Sequence, residues 1–422
     1  MFEDKLAIDG GTPVRKIPLP DGNKVGKEEL KELIDVIDSG KMSRFGGTKV
    51  EKFEDEFAEI HGSKYSIASS SGTASLHVAI GMVDPSPGDE IILGPITDIG
   101  SVIPILSQTA IPIFCDAQLD TFNMDPADIE RKITEKTKAI MVIHLFGNPC
   151  DMDAIMDIAQ RHKLVVIEDC SQAHMSEYKG RLVGTIGDIG CFSLQQSKHI
   201  TCGDGGITIT NNEEYGIRGK LFMDKGWRRS EQGPPTYVIF SPNYRMNELS
   251  GAVVLAQVRK MKNIIAVRRA RGDLLSELLA DNQYVVPQRV LDGCKHTYWL
   301  YGMRVTDDAP FSADDFAEAI RAEGISCSPH FFRRPIFLCH EAIRNQRLFG
   351  DSRFPFDHPN ARPGITYDEN TAPNAQRVMD QLIAGYAKPP VSQLWASQFL
   401  SEDDVHDVAT GIQKVSRLLR RR

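Results

Sequence analysis

The sequence predicts an α/β protein whose large domain has a doubly wound mixed sheet, followed by a smaller C-terminal α+β domain. Between about residues 64 and 211, short apolar runs alternate with amphipathic segments. Uninterrupted apolar runs of four or five residues are typical of strands that helices cover on both faces. A chain of 422 residues is also too long for one simple core. We therefore expect two domains, over residues 1–260 and 261–422.

The predicted elements follow in order along the chain. Candidate strands of the large sheet occupy residues 91–94, 111–115, 139–143, 164–167, 189–192 and 207–210. Helices are predicted over 126–136 and 152–163, and Asp151 is a suitable N-cap for the second. After a long helix at 246–281, the C-terminal region offers a strand at 296–305 and helices at 313–323, 376–385 and 401–420. Proline-rich stretches at 354–363 and 388–390 predict loops.

Composition excludes several functional classes. A net charge of −8 is unlike a nucleic-acid-binding protein, which usually has a basic face. Neither a signal peptide nor an apolar stretch long enough to cross a bilayer is visible, so we expect no membrane association. The eight cysteines are irregularly spaced, which favours reduced thiols in the cytoplasm and indicates no metal site.

Ser71-Gly72-Thr73 precedes an apolar helical segment beginning at Ala74. A helix start with a glycine and hydroxyl groups presents free backbone N–H groups and the positive end of the helix dipole, which suits a phosphate. The alternative is that Ser71 or Thr73 only caps the helix.

Asp169 ends the apolar run 165–167, and ligands of open α/β sheets bind at the carboxyl ends of the strands. A carboxylate that faces a pyridine nitrogen keeps this nitrogen protonated, so that the ring can accept electrons from a carbanion. Gln172 could hydrogen-bond the phenolic oxygen of the same ring. The alternative for Asp169 is a helix cap or an ion pair.

Lys198 follows Ser193 after a short polar loop and precedes the glycine turn Gly203–Gly206. This spacing can direct one amine at a bound aldehyde while the Ser193 hydroxyl holds a phosphate. A desolvated lysine with a lowered pKa can form a Schiff base and then carry a proton. The three segments in this order predict a pyridoxal phosphate site, although Lys198 alone would be interpreted as a surface lysine.

The chain also resembles a known family, the DegT/DnrJ/EryC1/StrS aminotransferases, which are fold-type I enzymes that aminate keto sugars and keto cyclitols. The motifs that carry the resemblance are Gly10-Gly11-Thr12-Pro13-Val14-Arg15, Ser71-Gly72-Thr73, the run from Glu168 to His174, the run from Ser193 to Lys198 with Gly205-Gly206, and Asn243-Tyr244-Arg245-Met246. Gln195-Gln196-Ser197-Lys198 resembles the subgroup that aminates scyllo-inosose and related ketones.

The resemblance implies a role for each of these site residues. Thr73 and Ser193 would hold the phosphate, Asp169 and Gln172 the ring, and Lys198 would be the Schiff-base lysine. Asn243 would reach the phosphate from the neighbouring subunit of a homodimer with shared active sites. His330 resembles a histidine that approaches the substrate, but it is equally interpreted as a buried packing residue.

Two departures from the family concern the pocket. Asp98 stands where the family usually places an aromatic ring that stacks on the cofactor, and we expect the acid to meet an amine of the substrate or cofactor. The segment Asn374-Ala375-Gln376-Arg377 replaces a glutamate-rich segment near Pro373.

The sequence thus predicts a pyridoxal phosphate-dependent aminotransferase that moves an amino group from glutamate or glutamine to a keto sugar or keto cyclitol. The reaction would be ping-pong, through the pyridoxamine form of the cofactor. One alternative is a sugar dehydratase of the same family, in which histidine replaces the lysine; Lys198 argues against it, despite the adjacent His199. Another is a non-catalytic regulatory protein that retains the fold.

Overall fold

A computed structural model describes residues 5–229, 234–385 and 394–420. The loop predicted at 388–390 lies outside these ranges. Within them, seven strands form the large sheet in the order β1-β9-β8-β5-β4-β2-β3. These strands are β1 (Tyr65–Ser69), β2 (Glu90–Leu93), β3 (Ile111–Phe114), β4 (Thr137–Ile143), β5 (Val165–Asp169), β8 (Ile189–Ser193) and β9 (Gly206–Thr210). Strand β9 runs antiparallel to both of its neighbours and the other pairs are parallel, so the sheet is mixed as predicted.

The remaining strands form two smaller sheets. A four-stranded sheet has the order β10-β12-β14-β13, and a three-stranded sheet has the order β11-β6-β7 within the described ranges. Their bounds are β6 (Glu177–Tyr178), β7 (Arg181–Leu182), β10 (Val285–Pro287), β11 (Cys294–Lys295), β12 (Gly302–Val305), β13 (Ser328–Pro329) and β14 (Leu382–Ala384).

The helices surround these sheets. In chain order they are α1 (Lys27–Ser39), α2 (Lys49–His61), α3 (Gly72–Val83), α4 (Ile103–Ser107), α5 (Pro126–Lys132), α6 (Met152–His162), α7 (Glu213–Met223), α8 (Glu248–Leu278), α9 (Ala313–Ala322), α10 (Ile336–Cys339), α11 (Glu341–Arg344), α12 (Pro373–Gln381) and α13 (Glu402–Leu418). Asp151 caps α6 as predicted, since its carboxylate accepts a hydrogen bond from the Ala154 amide. No helix in the described part of the chain has the length and apolar character needed to span a membrane.

Apolar cores cover both faces of the large sheet. Ile91 and Leu93 of β2 pack into one core, whereas Ile92 packs into the other. All three side chains are fully buried. Alternate residues of a strand point to opposite faces, so a strand buried on both sides is mostly apolar. This is why the six apolar runs of the sequence were sufficient to predict strands. Strand β1 contains Ser66 and Ser69 and was not predicted.

A third core lies in the C-terminal region, between the four-stranded sheet, α9 and α13. The long helix α8 joins the two regions, because Ile265 packs beneath the large sheet and Leu275 packs in the third core. Leu6 and Leu19 also belong to the third core, although the sequence analysis assigns the N-terminal segment to the large domain. The boundary at residue 260 falls inside α8 and stays a prediction.

Two C-terminal elements differ from their predictions. Within 296–305 only Gly302–Val305 forms a strand. The carbonyl oxygens of Tyr298 and Trp299 instead accept hydrogen bonds from the Arg268 side chain, so the chain there cannot complete a ladder. The predicted helix at 376–385 is α12, which ends at Gln381 and is followed by β14. Residues 382–384 are fully buried and pair with β12 and β13.

Candidate active site

A cavity of about 810 Å³ opens at the carboxyl ends of β5 and β8 and at the N-terminus of α3. Seven of the predicted site residues line it: Gly72, Thr73, Asp98, Asp169, Gln172, Ser193 and Lys198. Residues from distant parts of the chain complete the walls, namely Asp21 to Lys24, Trp299, Phe331, Phe332 and Gln398. The fold therefore brings together most of the residues that the sequence singled out.

The start of α3 and the end of β8 form a cradle of hydrogen-bond donors. Ser71 caps the helix, because its hydroxyl accepts a hydrogen bond from the Ala74 amide at 3.0 Å. The amides of Gly72 and Thr73 precede the first helical hydrogen bond and have no acceptor among the described residues. A Cβ atom on Gly72 would lie 2.6 Å from Cβ of Ser193, so only glycine allows this close approach. The cradle suits a phosphate.

The Asp169 carboxylate is held in place from two sides. Its Oδ2 accepts a hydrogen bond from Ser101 Oγ at 2.8 Å, and its Oδ1 accepts one from the Ser171 amide at 3.0 Å. Ser101 is in turn 2.7 Å from Thr97 Oγ1. Asp169 is buried, yet it lines the cavity. A fixed, acceptor-only carboxylate is suited to hold a protonated ring nitrogen.

Gln172 is also fixed in one orientation. Its Oε1 accepts a hydrogen bond from the Phe146 amide at 2.8 Å, which leaves its NH₂ group to donate. Since the side chain lines the cavity, this NH₂ group can serve a phenolic oxygen.

Lys198 is half-buried in the cavity wall, and two acids act on it at longer range. Burial lowers the pKa of its amine to about 8, while the charges of Asp169 and Asp98 act in the opposite direction. Nζ of Lys198 lies 4.0 Å from the centre of the Trp299 ring. The Trp299 indole N–H donates to the Ser197 carbonyl at 3.0 Å, so the ring is attached to the loop that carries the lysine. An amine with this pKa is partly neutral near pH 7 and can attack an aldehyde.

Asp98 is exposed and begins a short 3₁₀ helix, Ile99–Ser101. Its Oδ1 accepts a hydrogen bond from the Gly100 amide at 2.8 Å. Its other oxygen accepts no hydrogen bond within the described part of the chain and can meet a ligand, since Asp98 lines the cavity. The aromatic rings of this cavity come instead from Trp299, Phe331 and Phe332.

Asn243 and His330 lie away from the cavity walls. Asn243 is exposed, and its Oδ1 accepts a hydrogen bond from the Arg245 amide at 3.3 Å. His330 is buried, with Nδ1 at 2.8 Å from the Met379 carbonyl oxygen and Nε2 at 2.9 Å from Asp314. Within one chain, His330 therefore has the contacts of a packing residue, and its predicted contact with substrate stays a prediction.

Three residues of the site were not predicted from the sequence. Ser101 orients Asp169, Trp299 covers Lys198, and Lys24 lines the cavity. Each lies far along the chain from the residue that it contacts, so local spacing contains no signal for it. Trp299 fell inside a segment that the apolar pattern assigned to a strand.

His144, Glu168 and Cys170 form a buried group of side chains with metal-ligating atoms among the described residues. The Glu168 carboxylate already accepts hydrogen bonds from the amides of Gly184, Ile186 and Gly187 and from His144 Nε2. Nδ1 of His144 accepts from the Cys150 amide, which leaves the proton on Nε2. The group is therefore held by hydrogen bonds, which connect β5 to the loop before β8.

The chain matches the model of the DegT/DnrJ/EryC1/StrS aminotransferase family over residues 23–355. It is 32% identical to L-glutamine:2-deoxy-scyllo-inosose aminotransferase of Streptomyces paromomycinus, over 98% of this chain and 97% of that one. It is 38% identical to GDP-perosamine synthase of Escherichia coli O157:H7, over 68% of this chain and 77% of that one. The solved structure of an aminotransferase from Psychrobacter cryohalolentis is 30% identical and has a TM-score of 0.78, over 94% of this chain and 98% of that chain.

Proposed function

Since the chain belongs to the DegT/DnrJ/EryC1/StrS aminotransferase family, we propose that it moves an amino group from glutamine or glutamate to a keto cyclitol or keto sugar. The protein is a pyridoxal phosphate-dependent aminotransferase. The observation that carries the proposal is the joint placement of Lys198, Asp169 and the α3 cradle in one cavity. These groups suit the aldehyde, the ring nitrogen and the phosphate of that cofactor.

Bound pyridoxal phosphate supplies an aldehyde that takes up the amino group of the donor and a ring that accepts electrons. The protein's own residues do the rest. The amides of Gly72 and Thr73 and the Ser193 hydroxyl would hold the phosphate. Asp169 would keep a proton on the ring nitrogen, and the Gln172 NH₂ group would donate to the phenolic oxygen. Lys198 Nζ would be the group that accepts the proton from the α-carbon of the donor.

The acceptor ketone is proposed from similarity and from the polar lining of the cavity. The relative from Streptomyces paromomycinus is named for 2-deoxy-scyllo-inosose, and it is similar to this chain over nearly its full length. Gln195, Gln196 and Ser197 line the cavity beside Lys198, and Asp98 and Asp204 are also in the walls. Amide and carboxylate groups match the many hydroxyl groups of a cyclitol, each of which donates and accepts.

We further propose a homodimer in which Asn243 completes the site of the partner. Asn243 is exposed and lies outside the cavity of its own chain, which suits a residue that serves another chain. Leu30, Ile34 and Ile37 form an exposed apolar stripe on α1, and such stripes are typical of interfaces. A location in the cytoplasm is supported by the eight cysteines, all of which are free thiols.

The dehydratase alternative would need a histidine in place of Lys198. His199 does not take this position, because its buried ring lies 3.0 Å from the Thr297 carbonyl oxygen and is not part of the cavity wall. The aminotransferase assignment is therefore favoured by the side chain that the cavity presents.

The test follows the nitrogen atom. The purified holoenzyme is incubated with L-glutamine or L-glutamate labelled with ¹⁵N at the α-amino group, together with a panel of keto cyclitols and nucleotide-linked keto sugars. We expect a keto acid and a ¹⁵N-labelled amino cyclitol or amino sugar, detected by mass spectrometry, and neither from Lys198→Ala. Loss of water from the ketone without gain of ¹⁵N would support the dehydratase, and absence of both reactions would support a regulatory protein.

A further inference from the structure

Lys24 is a second lysine in the cavity wall, and it contacts the loop that carries Lys198. Its ammonium group donates to the carbonyl oxygens of Gln196 at 3.0 Å and of Lys198 at 2.6 Å. An ammonium group has three N–H donors, so one remains for a ligand. Lys24 forms no salt bridge with any carboxylate in residues 5–229, 234–385 and 394–420. It is thus a partly buried cation that has no carboxylate in direct contact among the described residues, although Asp21 acts on it at longer range.

Arg268 lies behind the same wall and is almost fully buried. Its guanidinium group donates to the carbonyl oxygens of Tyr298 and Trp299 and to Oε1 of Gln398 at 2.9 Å. Because arginine can only donate, Gln398 must present its oxygen to Arg268, and its NH₂ group is turned away. Gln398 lines the same cavity as Lys24, so this NH₂ group is a second hydrogen-bond donor of the cavity wall.

The electrostatics of this wall favour an anion. A buried cation without an acid partner is costly, and the cost falls when an anion binds next to it. Burial, together with the positive charges of Arg268 and Lys198, lowers the pKa of Lys24 to about 7, while the charge of Asp21 acts in the opposite direction. Among the described residues that line the cavity, the only cations are Lys24 and Lys198, and the other charged side chains are Asp21, Asp98, Asp169 and Asp204.

We propose that Lys24, assisted by the Gln398 amide, binds the α-carboxylate of the amino donor. This inference rests on the proposed function, which requires an amino acid to enter the cavity next to Lys198. The cofactor phosphate has its own cradle at α3 and a keto cyclitol is uncharged. A nucleotide-linked keto sugar is anionic, but the donor has an α-carboxylate whichever ketone is the acceptor. A carboxylate bound at Lys24 would form the direct ion pair that Lys24 lacks among the described residues and would direct the donor amine into the cavity.

The experiment compares two donors that differ only in this charge. The kcat/KM of the donor half-reaction is measured for L-glutamine and for L-glutaminamide, in which a neutral amide replaces the α-carboxylate. We expect Lys24→Met to lower the value for L-glutamine by about tenfold to a hundredfold, the usual effect of losing a charged hydrogen bond. The value for L-glutaminamide and the affinity for pyridoxal phosphate should not change.

Lys27→Met is the matched control, because Lys27 is exposed at the start of α1 and lies outside the cavity. It should change neither the kcat/KM for L-glutamine, nor the kcat/KM for L-glutaminamide, nor the affinity for pyridoxal phosphate. If Lys24→Met lowers kcat/KM equally for both donors, Lys24 only supports the loop that carries Lys198, and the proposal is overturned. Weaker cofactor binding with unchanged donor selectivity, or no effect at all, would overturn it as well.

A failure of the proposed function would look different. The wild-type protein would then transfer no amino group from either natural donor to any ketone. In that case calorimetric titration with L-glutamine still decides the inference, because it needs no turnover. Weaker binding to Lys24→Met than to the wild type would support the carboxylate site, and equal or undetectable binding to both would overturn it.

Discussion

At the scale of single residues, Asp169 is oriented by the protein itself, through Ser101 and the Ser171 amide. An asparagine could occupy the same position, but it has no negative charge to stabilise a proton on the ring nitrogen of the cofactor. We expect Asp169→Asn to retain the cofactor and to slow the donor half-reaction by about a hundredfold or more, the effect of a few kcal/mol on the barrier. Single-turnover absorbance measurements with L-glutamine check this.

Ser101→Ala is the companion variant, since it removes one hydrogen bond and keeps the negative charge. Its effect should be smaller than that of Asp169→Asn. A single-turnover rate near that of the wild type for Asp169→Asn would mean that Asp169 has a structural role only.

The pH dependence of cofactor capture should report the amine of Lys198. Its neutral form attacks the aldehyde, and its pKa is lowered by burial to about 8. The rate at which apoenzyme captures pyridoxal phosphate should therefore rise about tenfold per pH unit below 8 and level off above it. Asp98 favours the charged amine, so Asp98→Asn should move the plateau to lower pH.

The capture rate can be followed by trapping with borohydride and mass spectrometry. Asp21→Asn is the control, because Asp21 also lines the cavity but acts on Lys24 rather than on Lys198. An unchanged profile for Asp98→Asn would show that the acid does not influence Lys198, and Lys198→Ala should give no trapped adduct.

The site residues that have a local signal in the sequence could be predicted. Those that are defined only by contacts with remote residues could not. Gly72, Asp169 and Lys198 each follow a strand or begin a helix, and this position alone directs them to one edge of the sheet. Lys24 enters the same cavity from before α1, where no element pattern indicates it. The position of Lys24 in the site depends on its contacts with Gln196 and Lys198, which are remote in the sequence.

At the scale of elements, the N-terminus of α3 depends on its close approach to β8. Gly72→Ala would place a methyl group 2.6 Å from Cβ of Ser193, and backbone atoms of that residue are also near. The helix start must then move away from the Ser193 hydroxyl. We expect a loss of affinity for pyridoxal phosphate of about tenfold or more, measured by equilibrium dialysis.

Gly81→Ala in the same helix separates this effect from general destabilisation. Its methyl group would meet the Phe222 ring, far from the cradle. This variant should lower the melting temperature and keep the cofactor affinity of the folded protein. Equal cofactor affinity in both variants would argue against a phosphate at the start of α3.

The central elements could be predicted because burial on both faces leaves an uninterrupted apolar run, as in β4 and β5. Elements shaped by distant partners could not be predicted in this way. Residues 382–384 have the apolar character of a helix face as well as of a strand, and only pairing with β12 and β13 decides between them. The segment before β12 is similarly irregular, because its carbonyl oxygens accept hydrogen bonds from Arg268 on α8.

At the scale of the whole molecule, the proposed dimer places Lys198 and Asn243 of one active site on different chains. Lys198→Ala and Asn243→Ala should each be impaired as homodimers. When the two variants are mixed and exchange chains, each heterodimer should regain one intact site, because two-fold pairing puts both lesions in the other site. Activity should recover towards about half of the wild-type value per heterodimer.

Chain exchange is verified by native mass spectrometry with one variant carrying an affinity tag. Failure to recover activity after proven exchange would place both residues in the site of one chain, or would separate Asn243 from the phosphate. A monomeric wild-type protein would refute the shared site directly.

The carboxylate of Glu323 connects the N-terminal segment and helix α13 to the end of helix α9. It accepts hydrogen bonds from the amides of Ala7 and Val14 and from the Lys414 ammonium group. Lys414 also donates to the Thr12 carbonyl, 402 residues away. During synthesis at about 5–20 residues per second, residues 7–14 must therefore wait until Lys414 has been made before these contacts can be completed. The cavity shows the same dependence, because Asp21 to Lys24 are the first of its wall residues to be synthesised and the wall is complete only when Gln398 has followed.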